Sequence, residues 1–221
     1  MKLYWIKAQA PRRVLALIKH LGIESHVDTI DISGGQLRSA GFAAINPNRK
    51  APVLVDGDVT LWESTAIMAY LCVKRSSDMW PAQNAREQVE VLKWLAWCDS
   101  HWSPAIGPFY FEHIVKPTFK LGVADRAALT DKVGDVLKFA KVLDDHLVGR
   151  SHPACERLTI ADFQMASMAT DWRVSEMPLE QFPNVVRWLD GLMRITAWAD
   201  PWPNGVASDI LQSPDSQAAR R

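Results

Sequence analysis

The 221-residue sequence predicts an α/β domain followed by an all-α domain. In its first third, short β-prone runs and segments of helical period alternate with turn signals in the order βαβ-ββα. Beyond about residue 85 the strand signals end, and long segments of helical period take their place. We expect an α/β domain over residues 1–73, a linker over 74–84 and a helical bundle over 85–221, each domain with its own core.

The first βαβ unit is predicted over residues 2–32. Residues 2–6 form a short β-prone run, and residues 26–32 form a second one. The apolar-periodic segment between them has Pro11 in its first turn and Gly22 just beyond its last residue, as expected of a helix. A short helix is expected near residues 37–44.

A β-hairpin and a third helix complete the predicted α/β domain. The runs VLV at 53–55 and VTL at 59–61 flank Asp-Gly-Asp, and Asp-Gly accepts the positive φ of tight turns. Helical spacing begins at Ser64, which is expected to be the N-cap of the helix.

Four helices are predicted in the second domain, over residues 86–101, 125–147, 160–174 and 185–193. The polar stretch 74–84 before them contains Pro81 and is predicted to be the linker. Thr159 and Asp162 have the spacing of a capping box at the start of the third helix. From about residue 200 the chain is expected to be irregular.

Composition excludes several classes of partner. The 25 basic residues balance the 25 acidic ones, which disfavours nucleic acid and anionic membrane surfaces as partners. We find no signal-peptide core and no apolar run of membrane-spanning length, so a cytoplasmic protein is expected. The three cysteines form no CxxC pair, so neither a disulfide framework nor a metal site is expected.

Three motifs lie in order along the chain: NPxxxxPVL from residue 46, LxESxAIxxYL from residue 61 and LTIADF from residue 158. With them the chain resembles the cytosolic glutathione transferase family over about residues 2–192. The resemblance implies a thioredoxin-like first domain, a homodimer, and glutathione as co-substrate without a metal. It also implies a glutathione site on the first domain and a site for a small apolar electrophile on the second.

The resemblance assigns glutathione-binding roles to the second motif and to the end of the first. It implies a cis Ala51-Pro52 bond, with the Ala51 backbone pairing with the cysteinyl part of glutathione as an added strand would; a trans proline at a strand entry is the alternative. Ser64 and the free N–H groups of its helix would hold the γ-glutamyl carboxylate, and Glu63 would hold the ammonium group. A helix cap beside a solvated acid is the purely structural interpretation.

Other polar residues are candidates of lower rank. Arg49 and Lys50 could pair with the glycyl carboxylate, or they could form an ordinary solvated loop. Gln36 is a weaker candidate of the same kind. Asp99 could reach the amino group of glutathione across a dimer interface, or it could be a surface acid.

The residue that activates the thiol is predicted from the loop after the first strand. Family members place Tyr, Ser or Cys there, which lowers the thiol pKa from its free value of roughly 8.5 to 9. Gln9 falls on the serine position, and its amide can donate a hydrogen bond to a thiolate although it cannot ionise. The helix start and the charge of Arg12 or Arg13 could add stabilisation. Because the loop has no cysteine, mixed-disulfide chemistry is disfavoured.

The second-substrate pocket is expected among aromatic residues that follow the linker. Trp97, His101 and Trp102 could line it beside the sulfur, together with Phe109 and Tyr110. The alternatives are helix packing for the aromatic stripe and a hydrogen-bonded core or rim position for the histidine.

Two functions are therefore predicted. The first is a glutathione transferase in which the glutathione thiolate attacks an apolar electrophile. The second is a transferase-like binding or scaffold protein with little turnover, which Gln9 favours and the Glu63-Ser64 pair disfavours.

Overall fold

The computed structural model describes residues 1–203 and residue 206. Most of the segment predicted to be irregular from about residue 200 lies outside these described residues. Within them a four-stranded sheet has the order β2-β1-β3-β4. Its strands are β1 Lys2–Trp5, β2 His26–Thr29, β3 Val53–Asp56 and β4 Val59–Trp62.

The sheet confirms the predicted βαβ-ββα order. Strands β1 and β2 are parallel and are joined by helix α1, Gln9–His20, whereas β3 is antiparallel to both β1 and β4. The hairpin turn is tighter than predicted, because Asp56 pairs with Val59 and only Gly57 and Asp58 remain in the turn. Gly57 has a φ of 65°, a conformation that glycine adopts without steric cost.

Two helices flank the strands of this region. Helix α2, Ala40–Ile45, follows a single 3-10 turn at Gln36–Arg38 and is capped by Ser39, whose hydroxyl accepts from the Phe42 amide at 3.1 Å. Helix α3, Ser64–Lys74, follows β4 after one intervening residue.

The helical region contains more elements than the sequence predicts. They are α4 Ala85–Trp97, α5 Ser103–Tyr110, α6 Lys116–Thr118, α7 Arg126–His146, α8 Ile160–Ser167, α9 Pro183–Leu192 and α10 Thr196–Ala199. Wider π-helical turns at Cys98–Trp102 and Phe111–Val115 join α4, α5 and α6 into one run. Helix α5 was not predicted, because Pro104 and Pro108 indicate turns in the sequence. The helix predicted over residues 160–174 ends earlier than expected, at Ser167.

The main core corrects the expectation of one core for each domain. A single buried cluster includes Leu3 and Leu54 from the sheet together with Phe163 and Trp198 from the helical region. The two regions share it because α1 packs against both α8 and α10. A small second cluster covers the other face of the sheet. Among the described residues, no helix has both the length and the apolarity to cross a membrane.

The predicted capping box is present at the start of α8. The fully buried Asp162 accepts hydrogen bonds from the Thr159 amide at 2.8 Å and from the Thr159 hydroxyl at 3.2 Å. The same carboxylate also accepts from the Trp188 indole N–H and pairs with the His152 imidazole, each at 2.9 Å. The predicted capping role of Asp162 is confirmed, and the hydrogen bond from Trp188 shows that the same carboxylate also joins α8 to α9.

Candidate functional site

Three chain segments meet at one edge of the sheet. Tyr4 near the end of β1 pairs with Val53 at the start of β3, and Val53 pairs with Trp62 at the end of β4. Since the strands are antiparallel across these pairs, three connections leave the sheet at the same edge. They are the loop at residues 6–8, the Ala51-Pro52 pair and the Glu63-Ser64 pair.

The Ala51-Pro52 bond is cis, as the resemblance implies. The loop before it is held by the buried Asn46, whose amide donates to the Lys50 carbonyl at 2.7 Å while its carbonyl oxygen accepts from the Asn48 amide at 2.9 Å. These hydrogen bonds fix the backbone that leads into β3.

The basic candidates in the preceding loop have different surroundings. Arg49 has a φ of 54°, and its guanidinium donates to the Arg38 carbonyl at the end of the 3-10 turn. Lys50 has an exposed side chain. Gln36 accepts from the Asp31 amide at 2.8 Å, so its side-chain oxygen is engaged within its own loop.

Glu63 lies at the junction of β4 and α3 in an unusual backbone conformation, with a φ of 68° and a ψ of 115°. Its carbonyl accepts the first hydrogen bond of the helix, from Ile67 at 3.0 Å, so Glu63 is the N-cap and Ser64 is the first helical residue. The prediction that Ser64 caps the helix is therefore wrong by one position. A positive φ is rare for a residue with a long side chain, and such outliers concentrate at binding sites.

The start of α3 offers groups suited to an anion. The first amides of a helix have no acceptor within the helix, and its dipole makes this end positive. Ser64 is buried, with 5% of its surface exposed, while the Glu63 side chain is exposed. An ammonium group and a carboxylate of one ligand would thus find complementary partners one residue apart.

A polar network behind this helix start was missed by the sequence analysis. The Thr65 hydroxyl donates to the side-chain oxygen of Gln164, whose amide donates to Asp99 at 2.8 Å. Arg13 lies beside it, where burial lowers the pKa of its guanidinium and the charges of Asp99 and Glu63 oppose that shift. Asp99 therefore bonds within its own chain. No sequence signal pairs residues 65, 99 and 164, because their contact depends on how α3 and α8 pack against the π-helical turn that follows α4.

Gln9, the predicted thiol-activating residue, is the first residue of α1 and has only 6% of its surface exposed. Its amide donates a long hydrogen bond of 3.4 Å to Asp171. Burial raises the pKa of the neighbouring Tyr110 to about 12, against the opposing effect of hydrogen bonding from Gln9. The Gln9 side chain thus lies at the junction with the helical region, and its catalytic role stays a prediction.

Arg12 connects α1 to the end of the described chain. Its guanidinium is buried, donates to the Trp198 carbonyl at 2.6 Å and lies 4.3 Å from the centre of the Trp198 ring. This is a cation–π contact in a desolvated setting, where such contacts are strongest. Its proposed help to a thiolate also stays a prediction, alongside this packing role.

The three predicted pocket residues make contacts typical of helix packing. Trp102 is fully buried and donates to the Met165 carbonyl at 2.9 Å, while Trp97 stacks on it at 6.0 Å between ring centres. His101 is exposed and stacks on Phe139 of α7 at 5.0 Å. Their part in an electrophile pocket is untested, and these contacts favour the packing alternative.

Two clefts within the described part of the chain lie away from the predicted residues. One, of about 320 Å³, borders Trp80 and Arg157 around the linker. The other, of about 380 Å³, borders Met1 and Asp56 and so lies at the opposite edge of the sheet, where β1 begins and β3 ends. Over residues 1–203 and 206, no group of three or more His, Cys, Asp or Glu side chains could hold a metal ion.

A mixed four-stranded sheet with a cis-proline before its third strand, joined to a helical bundle, defines a thioredoxin-like protein with an appended helical region. Comparison with protein families gives a match to the glutathione S-transferase N-terminal domain over residues 1–72. Glutathione S-transferase 3 of Zea mays is 35% identical over 156 residues, which cover 68% of this chain and 68% of that protein. The chain therefore belongs to the glutathione S-transferase family, and its function is that of a glutathione transferase.

Two further similarities extend over more of the chain. The probable glutathione S-transferase GSTF2 of Oryza sativa subsp. japonica is 26% identical over 185 residues, covering 82% of this chain and 85% of that protein. Glutathione S-transferase I from maize, solved with an atrazine glutathione conjugate, has a TM-score of 0.81 at 23% identity, covering 89% of this chain and 93% of that one. At that identity the structural likeness supports the fold.

Proposed function

We propose that this chain binds glutathione at the sheet edge formed by Ala51-Pro52 and Glu63-Ser64, and that the glutathione thiolate attacks a small apolar electrophile. The observation that carries the proposal is the strand register, which brings the start of β3 and the end of β4 side by side. The atrazine glutathione conjugate bound by the maize relative supports the same pairing of substrates.

Each part of glutathione then has a partner of matching chemistry. The Ala51 backbone pairs with the cysteinyl unit as an added β-strand. The first amides of α3 and the Ser64 hydroxyl hold the γ-glutamyl carboxylate, and the exposed Glu63 carboxylate holds the ammonium group. Lys50 is the better placed of the two basic candidates for the glycyl carboxylate, since Arg49 is engaged by Arg38.

The thiol loses its proton to solvent, and its sulfur bonds to an electrophilic carbon as the leaving group departs. Gln9 and the amide groups at the start of α1 are the proposed stabilisers of the thiolate, with Arg12 as a more distant positive charge. Trp97, His101 and Trp102 are the proposed neighbours of the electrophile.

We also propose the domain division 1–73, 74–84 and 85–221 and a homodimer. Three large apolar side chains on β4 and α4 have exposed surface that a second copy could cover: Trp62, Val89 and Leu92, exposed by 39%, 63% and 50%. Apolar surface of this kind is typical of subunit interfaces.

Calorimetric titration with glutathione, followed by a conjugation assay with 1-chloro-2,4-dinitrobenzene, tests the proposal. We expect saturable binding at millimolar glutathione or below, and turnover above the uncatalysed rate. Absence of binding at millimolar glutathione would contradict both the site and the transferase reaction.

Gln9→Ala should leave glutathione affinity nearly unchanged and lower turnover by roughly 10-fold if its amide holds the thiolate. Gln83→Ala, at an exposed linker position, is the matched control. An unchanged rate for Gln9→Ala would assign thiolate stabilisation to the α1 amides.

A binding protein with little turnover is the second candidate. It is favoured by the burial of Gln9 and by its hydrogen bond to Asp171, which turn the amide toward the helical region. Calorimetric binding without conjugation would support it.

A further inference from the structure

The chain after α9 runs back along α1 of the first domain. Trp198, almost fully buried, accepts a hydrogen bond from Arg12 through its carbonyl. Two residues later, the carbonyl of Asp200 accepts from the Lys19 ammonium at 2.5 Å, and the Asp200 carboxylate lies 3.2 Å from the same group. This segment, residues 198–202, is therefore fixed to α1 at both ends of the helix.

Trp202 extends these contacts to the chain that precedes the proposed thiol site. Its indole stacks on Trp5, the last residue of β1, with 5.9 Å between ring centres and an interplanar angle of 30°. The Lys7 ammonium lies 5.4 Å from the centre of the Trp202 ring. Trp5 and Trp202 are both buried, with 2% and 8% of their surfaces exposed. One side chain thus contacts the residues on both sides of Ile6.

The two residues that contact Trp202, Trp5 and Lys7, lie four and two positions before Gln9. Residues 6–8 lie between β1 and α1, and the Ala8 carbonyl accepts the first hydrogen bond of α1, from the Arg12 amide at 2.9 Å. Ile6 and Lys7 lie outside both elements, so side-chain contacts help to fix their position. Stacking and cation–π contacts are directional, so they restrain both the orientation of Trp5 and the location of the Lys7 charge. A shift of about 1 Å in a group that positions reactants can lower a rate by about 100-fold.

We propose that Trp202 is a positioning residue of the transferase reaction, which acts through Trp5 and Lys7 on the loop that precedes α1. It places that loop, and the Lys7 charge, against the sulfur of bound glutathione. The inference rests on the proposed glutathione site, and it gives the helical region an influence, through Trp5 and Lys7, on the reacting end of that site.

Trp202→Ala tests the proposal, with Trp202→Phe as the conservative variant and Trp80→Ala as the matched control, since Trp80 is a partly buried indole in the linker. For each protein, kcat, KM for glutathione, the pH profile of kcat/KM and the melting temperature are measured with 1-chloro-2,4-dinitrobenzene. We expect Trp202→Ala to lower kcat roughly 10-fold, to change KM less than about 3-fold, and to move the profile to higher pH as the thiol pKa rises. Trp202→Phe should retain most of the rate.

The outcomes separate this inference from the proposed function. An active wild type with an unchanged kcat and pH profile in Trp202→Ala would overturn the positioning role alone, as would a loss equal to that of Trp80→Ala. A wild type without binding or turnover would contradict the proposed function itself. If Trp202→Ala does not fold, Lys7→Met is measured instead. A pH profile of kcat/KM moved to higher pH at an unchanged melting temperature would support the positioning role of Trp202. An unchanged pH profile would overturn it.

Discussion

The sheet edge and the aromatic group of Trp97, His101 and Trp102, at the end of α4 and in the π-helical turn after it, differ in the contacts that bring their residues together. At the edge, backbone pairing of β1, β3 and β4 places Ala51-Pro52 beside Glu63-Ser64. In the aromatic group, Trp97 and Trp102 meet through side-chain stacking along one helical run. The first arrangement follows from strand order, while the second depends on π-helical turns and on rotamers.

The location of the first group can therefore be predicted from the sequence, whereas the location of the second is known only from the structure. Side chains alternate between the two faces of a sheet with a period of two residues. Once a hairpin is recognised, the residues that pair across it are therefore nearly fixed. A helix face admits several neighbours, so an aromatic residue on it can line a pocket or fill a core. Apart from Trp202, which we propose positions the loop before α1, we therefore expect substitutions of buried residues in the helical region to affect stability first, and substitutions at the edge to affect binding first.

The largest effect is expected at Asp162. Asp162→Ala removes a buried carboxylate that accepts from the Thr159 amide and the Trp188 indole, leaving buried donors without an acceptor. The free energy of unfolding should fall by about 3 kcal/mol or more. Denaturant unfolding measures it, with Asp190→Ala on the exposed face of α9 as a control expected within about 0.5 kcal/mol. An equal, small loss in both variants would contradict a packing role for Asp162.

A smaller effect, on binding alone, is expected at Glu63. Glu63→Gln keeps the shape of the side chain and removes the charge proposed to meet the ammonium of glutathione. Glutathione affinity by calorimetry should fall about 10- to 30-fold, since a charged hydrogen bond contributes roughly 1.5 to 2 kcal/mol. Glu24→Gln, at an exposed position away from the edge, should have no effect. If Glu63→Gln lowered the melting temperature and left affinity intact, the contrast between the two regions would fail.

The smallest effect concerns pH. Hydrogen bonding to Asp162 raises the pKa of His152 above its usual value of 6.5, against the opposing effect of burial. A raised pKa in the folded state means that the stabilisation is complete below about pH 6.5 and is lost as pH rises through the folded value. Unfolding free energy should therefore decline modestly from pH 6 toward pH 8, and His152→Gln should flatten that decline. An equal decline in the variant would show that other groups cause it.

Much of the first region could be predicted from the sequence. The hairpin follows from Asp-Gly between two β-prone runs, and the ends of α1 follow from Pro11 and Gly22. The start of α8 follows from the capping box of Thr159 and Asp162. These are local signals, because each depends on residues that lie only a few positions apart in the chain.

The remainder depends on contacts between residues far apart in the chain. Gln164 joins Thr65 to Asp99, and Trp202 reaches Trp5, through packing that no local pattern encodes. Helix α5 was missed for a different reason, since its prolines indicate turns when read locally. The burial of Gln9 likewise depends on the packing of residues far from it in the chain, among them Asp171 and Tyr110.

The backbone of Glu63, with its φ of 68°, has a further consequence. Glycine, which lacks a Cβ, has a lower steric cost at positive φ than glutamate, whose cost there is on the order of 1 kcal/mol. We therefore expect Glu63→Gly to relax the fold at the position proposed to bind the ammonium group of glutathione, and to remove the proposed ion pair. The junction of β4 and α3 is in this sense a point where stability and activity compete, and selection for a more heat-resistant variant would tend to erase the site.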